Sequence, residues 1–311
     1  MRRYDPVDAP FPMNRTISLL VPTRGRPALV QRLFRSLAET TARRDRVEIV
    51  LYVDEDDLQS HGLGSDQLTV QRIIGPRQTM GSYNTACLKQ SGGDIVILGN
   101  DDMVVRTIAW DEKIAAMDEA IADGIYLAYA NDLFMSRRRA TFPILSRRCC
   151  DVLGDPFPAA YRGAFIDTHL FDLFKRVQRA GFDRIRYLDD VVFEHLHYRT
   201  GKAEYDETYR KRGRFDDDFT FIGMAGMRSR DAKRLLQAIR GDAVEAAPPA
   251  PSDEYVPGGF ISAIGYFART FLIDTELPLR WRGFLFYTHI GRYLAGRGLL
   301  GPLVRVGGAK G

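Results

Sequence analysis

Three short apolar runs in this chain each break off into a turn crowded with polar and charged residues. Ile17-Ser-Leu-Leu-Val21 runs into Pro22-Thr-Arg-Gly-Arg26, Val47-Glu-Ile-Val-Leu-Tyr-Val53 into Asp54-Glu-Asp-Asp57, and Ile95-Val-Ile-Leu98 into Gly99-Asn-Asp-Asp102. Runs this short and this continuously apolar suit strands buried on both faces. Between the first two, Pro27 sits in a first-turn position, and Val30, Leu33, Phe34 and Leu37 follow at helical spacing. Strand, helix, strand in that order implies a right-handed crossover and a parallel sheet. The reading therefore is an α/β chain of three layers, α/β/α, around a mostly parallel central sheet.

Further elements continue the pattern. Gly81 to Lys89 predicts a helix stopped by Gly92-Gly93, Trp110 to Ala122 another, and Asp167 to Ala180 a third with its stop at Gly181. Ile125 to Ala130 reads as a strand. Ile185 to Leu188 and Val191 to Leu196 read as two short strands, with Asp189-Asp190 as the turn between them. Residues 1–240 thus form one α/β unit, and 241–257, rich in Ala, Pro, Asp and Glu, a linker. Residues 258–311 form a C-terminal helical extension.

Composition narrows the classes. With 45% hydrophobic and 27% charged residues, the 311-residue chain can bury a sizeable core and is neither collagen-like nor disordered. Cys87, Cys149 and Cys150 make no CxxC motif and no disulfide framework, which suits a reducing, cytoplasmic compartment. No apolar stretch follows the basic start and no run of eighteen apolar residues occurs, so neither a signal peptide nor a spanning helix is expected. The net charge of +4 is unevenly spread: from Gly258 on there are seven Arg/Lys against two Asp/Glu, leaving 37 basic and 38 acidic residues before it. A near-neutral body argues against nucleic-acid binding.

In an open parallel sheet, ligands bind beyond the carboxyl ends of the strands. The three turns would gather cations, hydroxyls and carboxylates at that edge, a set suited to a base, a diphosphate and a divalent metal. Carboxylates favour Mg²⁺ or Mn²⁺, which bind through one or two acids and the substrate's phosphates. Phe193-Glu-His-Leu-His197 adds imidazoles: on a strand His195 and His197 share a face and could complete such a site, or serve structure alone. Asp167 opens a predicted helix, as a cap or as a general base, with Asp172 the alternative one turn on. HExxH, GxGxxG after a strand, GxxxxGK[ST] and GxSxG are all absent, which argues against a zinc protease, a dehydrogenase, a P-loop kinase and an α/β-hydrolase.

Taken in order, these features resemble the GT-A-fold glycosyltransferases, close to the large family 2 group. The resemblance runs from Ser18 to His197. Ser18-Leu-Leu-Val-Pro-Thr-Arg-Gly-Arg26 is similar to the family's first strand and nucleotide loop, and Leu51-Tyr-Val-Asp-Glu-Asp56 to the strand whose terminal acid contacts the base. Gly81-Ser-Tyr-Asn84 resembles the helix start ahead of the metal motif, and Gly92 to Asp102 the segment that ends in DxD. Here Asn100 leaves that motif one acid short.

The resemblance implies transfer of a sugar from a nucleoside-diphosphate sugar, a UDP-sugar favoured, to an acceptor hydroxyl in glycan or polysaccharide synthesis, with inversion. It implies that Asp54 or Asp56 reads the base and that Arg24, Arg26 or Arg77 lies near the phosphates. Pro22, Thr23, Gly81, Asn84, Asn100 and Asp101 would line the donor site. Asp102, or else Asp101, would bind Mn²⁺ or Mg²⁺ with His195 and His197, and Asp167 would be the base. A catalytically inactive scaffold is the rival reading, and a sugar-nucleotide pyrophosphorylase a more distant one.

The extension carries nine of the chain's 34 aromatics. Phe260, Ile264, Phe267 and Phe271 fall on one helical face, and Arg280-Trp-Arg-Gly-Phe-Leu-Phe-Tyr287 mixes cations with rings. Three readings stand: contact with the inner face of a membrane, where the acceptor would be lipid-linked, packing on the catalytic unit, or a homodimer interface.

Overall fold

Burial on both faces makes each apolar run a strand, and the alternation of side chains along it then decides what packs on either side. The computed structural model describes residues 15–197, 201–202, 213, 215–246 and 255–298. Its elements begin β1 (Ile17–Thr23), α1 (Pro27–Thr40), β2 (Val47–Asp54), β3 (Thr69–Gly75), α2 (Met80–Gln90), β4 (Ile95–Leu98), β5 (Met103–Val105) and α3 (Trp110–Glu119). β6 (Leu127–Asn131), β7 (Pro143–Ser146), α4 (Arg147–Leu153), α5 (Ile166–Arg179) and β8 (Ile185–His195) follow. Ile17, Leu19 and Val21 of β1 enter one buried cluster with Val30, Leu33, Phe34 and Leu37 of α1 and Trp110 of α3. Leu20 enters the other, with Cys87 of α2, Cys149 of α4 and Leu170 and Phe174 of α5. Two helical layers thus sandwich the sheet.

The sheet order is β3-β2-β1-β4-β7-β6-β8-β5. β3, β2, β1 and β4 are parallel throughout, which meets the expectation, and Leu19 lies opposite both Ile49 and Ile97. Beyond β4 the sheet is mixed: β7 runs antiparallel to β4 and to β6, and β5 runs antiparallel to β8. The links from β4 to β5 and from β6 to β7 are too short to carry a helical crossover, so the chain reverses there.

β8 is one strand where two were expected. Its pairing with β6 slips at Ala130/Asn131, and Asp189 and Asp190 lie exposed at that irregularity, bound to Arg137 and Lys113. The acids are accommodated by a bulge within a continuous strand, so no hairpin is needed.

After the sheet come α6 (Asp218–Gly223), α7 (Ala225–Arg240) and α8 (Phe260–Phe267), which runs into a π-turn at Ala268–Leu272, and then α9 (Leu279–Gly296). Residues 241–246 of the expected linker are irregular, and 247–254 lie outside the described residues. Of the predicted apolar stripe, Phe267 and Phe271 are buried with Leu285 against Phe221, Leu170 and Phe174, while Phe260 is exposed. Polar bonds fasten the same junction. Trp281 Nε1 donates to Asp172 at 2.7 Å, and Arg176 meets Asp274 at 2.6 Å and Glu276 at 3.0 Å. Among the described residues no helix is long and apolar enough to cross a membrane.

Candidate active site

The turn after β1 is shaped by Gly25, whose φ of +65° is left-handed and suits a residue without a Cβ. Its N–H donates to Asp57 at 2.6 Å, tying the β1 turn to the β2 turn. Arg24 completes the tie. Its guanidinium reaches Asp54 at 2.5 Å and Asp56 through Nη2 at 2.6 Å, and this pairing holds the exposed Asp56 carboxyl below its ordinary range. Asp54 is buried and also accepts from Tyr83 Oη at 2.5 Å, and the Tyr83 ring lies 4.7 Å from that of Tyr52. Expected near phosphates, Arg24 thus sits on the two acids expected to read the base. Arg77 is exposed beyond β3, where its charge favours ionised Asp56.

Pro22 and Thr23 close β1 beside the turn after β4. Thr23 Oγ1 donates to Asp101 Oδ2 at 2.8 Å, and Arg26 Nη1 pairs with Asp101 Oδ1 at 3.1 Å. Burial pushes the Asp101 carboxyl up to about 6: Arg26 opposes the rise and the neighbouring Asp102 charge adds to it. Asn100 stands partly exposed at the head of this turn, its carbonyl accepting from Met103 N–H.

Pairing of β5 with β8 then decides what Asp102 meets. Met103 lies opposite His195, and His195 Nε2 stands 3.1 Å from Asp102 Oδ2. His195 Nδ1 is buried with no hydrogen-bond partner among the described residues. The two imidazoles do share a side, their centroids 5.0 Å apart, and Phe134 stacks on His197 at 5.5 Å.

The loop from β6 to β7 links this cluster to Asp167. Asp132, buried in that loop, gathers the N–H groups of Phe134, Met135 and Ser136 on Oδ1 and Thr141 Oγ1 on Oδ2, while its carbonyl accepts from His195 N–H. Arg139 of the same loop lies 3.8 Å from Asp167 Oδ2. Asp167 does not cap α5, since Phe165 holds that position with φ +67°. Its Oδ1 accepts from Thr168 N–H at 2.7 Å and Thr168 Oγ1 at 3.1 Å. The segment ahead of α5 is held by Asp217, which accepts from the N–H groups of Arg162, Gly163 and Ala164. Asp172, the alternative base, is wholly buried on Arg228 at 2.8 Å and Arg176 at 3.2 Å, and no acceptor reaches it.

Gly81 and Asn84 have packing roles that the motif reading did not foresee. A Cβ on Gly81 would come within 2.0 Å of Pro158 O, so the start of α2 can approach that loop only as glycine. Asn84 is buried and bonds back to Met80 O at 2.9 Å. Sequence reading missed Asp132 and Asp217. Asp132 follows the last residue of a buried strand and so carried the same signal as Asp54; Asp217, inside an acidic run, carried none.

For a divalent metal the residues offer a partial fit. No group of three or more His, Cys, Asp or Glu is placed to hold an ion among the described residues. Asp102 and His195 do form a carboxylate–imidazole pair. That suffices for an ion which keeps its waters and takes its remaining ligands from a diphosphate.

Sequence comparison matches no protein family and no curated protein. Solved structures do match. Residues 1–349 of S. aureus TarS, in complex with UDP-GlcNAc, align over 94% of this chain and 92% of that one at a TM-score of 0.50 and 14% identity. The Pyrobaculum calidifontis mannosyltransferase PcManGT, in complex with GDP-Man and Mn²⁺, aligns over 97% and 84% at a TM-score of 0.44 and 16% identity. At 14% identity the likeness to TarS speaks for architecture alone, and that architecture is a GT-A-like fold.

Proposed function

We propose that the chain is a glycosyltransferase that moves a sugar from a nucleoside-diphosphate sugar to an acceptor hydroxyl in glycan or polysaccharide synthesis. One observation carries the reading: the ends of β1, β4 and β8 bring Thr23, Arg26 and Asp101 beside Asp102 and His195 in one buried polar network. A UDP-sugar is the favoured donor, as the family resemblance implies. Arg26 stands where a diphosphate would meet positive charge, and the half-buried Tyr83, packed on the buried Tyr52 beside Asp54, offers a ring for a base. Asp102 and His195 would hold Mn²⁺ or Mg²⁺ brought in with the donor. When bound, such an ion supplies positive charge for the leaving diphosphate.

Asp167 is the proposed base. Thr168 fixes its Oδ1 and leaves Oδ2 toward Arg139, so one oxygen can take the acceptor proton while the carboxylate stays oriented. A single displacement with the base opposite the leaving group inverts the anomeric centre. Asn100 in place of an acid, together with the two-donor metal set, favours one second reading, a nucleotide-binding scaffold without turnover.

A thermal-shift panel of nucleoside diphosphates and their sugars, with and without Mn²⁺, tests both. A ligand at a hundred times its Kd stabilises the folded state by about 2.7 kcal/mol. Metal-dependent stabilisation by one nucleotide, lost in Asp102→Ala, is the expected result. No shift with any nucleotide overturns the donor site. Binding without hydrolysis or transfer favours the scaffold.

A further inference from the structure

Large apolar side chains exposed to solvent are not spread evenly over this molecule. Of the fourteen among the described residues, nine lie in 255–298, about a sixth of the described chain. Within 255–298 the most exposed are Ile261 at 86%, Leu279 at 78%, Tyr287 at 75% and Ile273 at 69%. Three of these four flank or follow the turn between the two last helices. Arg282 closes that turn by donating to Leu277 O at 2.8 Å and Leu272 O at 3.5 Å, and the exposed Leu272, Ile273 and Leu279 flank it.

Charge is sorted around the same turn. Both acids of the extension are already paired, Asp274 and Glu276 with Arg176, and Glu276 also with Lys233. Arg269 and Arg280 face outward, exposed, and form no ion pair among the described residues. Along α9, Arg280, Phe284 and Tyr287 follow at four- and three-residue steps, one outward stripe of cation and rings. Apolar tips beside uncompensated arginines and a tyrosine match the layered chemistry of a lipid surface: acyl chains below, anionic headgroups above.

We propose that the turn between α8 and α9 docks on an anionic lipid bilayer. Leu272, Ile273 and Leu279 enter the acyl boundary, and Arg269 and Arg280 meet the headgroups. The surface stands on its own residues; that it brings the enzyme to a lipid-linked acceptor rests on the glycosyltransferase reading above.

Co-sedimentation of the full chain with vesicles of equal phosphatidylglycerol and phosphatidylcholine tests the proposal, against vesicles of phosphatidylcholine alone. Strong partition onto the anionic vesicles is expected, falling at least about tenfold on neutral ones. The double substitution Ile273→Asp, Leu279→Asp should lower partition about tenfold or more, and Arg269→Glu, Arg280→Glu should do so and remove its salt dependence. Nucleotide thermal shifts on the same variants check that they fold and keep the donor site separate from the surface. Absent partition, or partition unmoved by both double variants, overturns the proposal. So does a dimer in sedimentation equilibrium that the Asp variants convert to monomer, since a second copy would then cover the turn.

Discussion

Two buried acids, Asp102 and Asp172, keep different company. Asp172 is enclosed by Arg228, Arg176 and the Trp281 indole. Burial alone would raise its pKa, but the two arginines outweigh that and hold the carboxyl below its usual range. Asp102 has Asp101 beside it, itself paired with Arg26, and His195 Nε2 at 3.1 Å. The first cluster closes its charge balance inside the protein and locks the C-terminal helices onto α5. The second sets two neighbouring carboxylates with Arg26 and His195 at a strand edge, the proposed place of an arriving cation.

The comparison breaks most visibly through stability. Asp172→Ala strands the buried Arg228 without its carboxylate and takes one of three from Arg176, and urea unfolding should show a loss of about 3–5 kcal/mol. A loss below about 1 kcal/mol would mean that the junction is not held by this cluster.

Asp102 should behave the other way round. Asp102→Asn removes a charge that raises Asp101, so unfolding should shift by less than about 1 kcal/mol. Metal-dependent nucleotide affinity, read by titration calorimetry, should meanwhile fall about 10- to 100-fold. A large stability loss with affinity unchanged would place Asp102 among the structural acids.

Acid sharpens the contrast, because the junction also buries two neutral histidines. Burial pushes His289 down to about 3, and His169 is lowered in the same way. Unfolded histidine titrates near 6.5, so between there and about 3 the unfolded chain binds the extra proton. Their contribution is complete above about pH 6.5 and declines as pH falls toward about 3, by roughly 2 kcal/mol at pH 5 for His289. Asp172, depressed in the fold, adds a loss of the same sign below about pH 4. Unfolding free energy that stays flat from pH 7 to pH 5 would contradict the neutral histidines.

The smallest effect belongs to the helix that carries Tyr83. Thr79 caps α2 by accepting from Ser82 N–H at 3.2 Å and also donates to Ala159 O at 2.6 Å. Thr79→Ala should cost about 1 kcal/mol in thermal unfolding. A null effect would show the start of α2 to be held by the Gly81 packing alone.

Legibility in the sequence followed apolar continuity. β1, β2 and β4 could be read because they are buried on both faces, and α1 because its stripe repeats at helical spacing. β3 escaped notice because Thr69–Gly75 is a half-exposed edge strand with little apolar signal. β5 escaped because three residues hold no period, and β7 because Pro143 and Ser146 leave only two aliphatic residues between them. Among the proposed site residues, those at strand ends were legible by position. Asp132 could have been added by the same rule, whereas Asp217 acts through loop N–H groups that no spacing marks.

What the sequence determined by itself was which runs are strands and which polar residues stand at their ends, since both follow from local apolar pattern and turn chemistry. Only the tertiary structure decided who meets whom. Asp102 and His195 are 93 residues apart, and they touch because β8 returns antiparallel to β5. Asp167 and Asp172 lie within one helix, yet one stays partly exposed at its start and the other is sealed by Arg228 and Trp281. Such outcomes depend on the packing of distant segments around a shared core, whose long-range contacts leave no local period in the chain to be read.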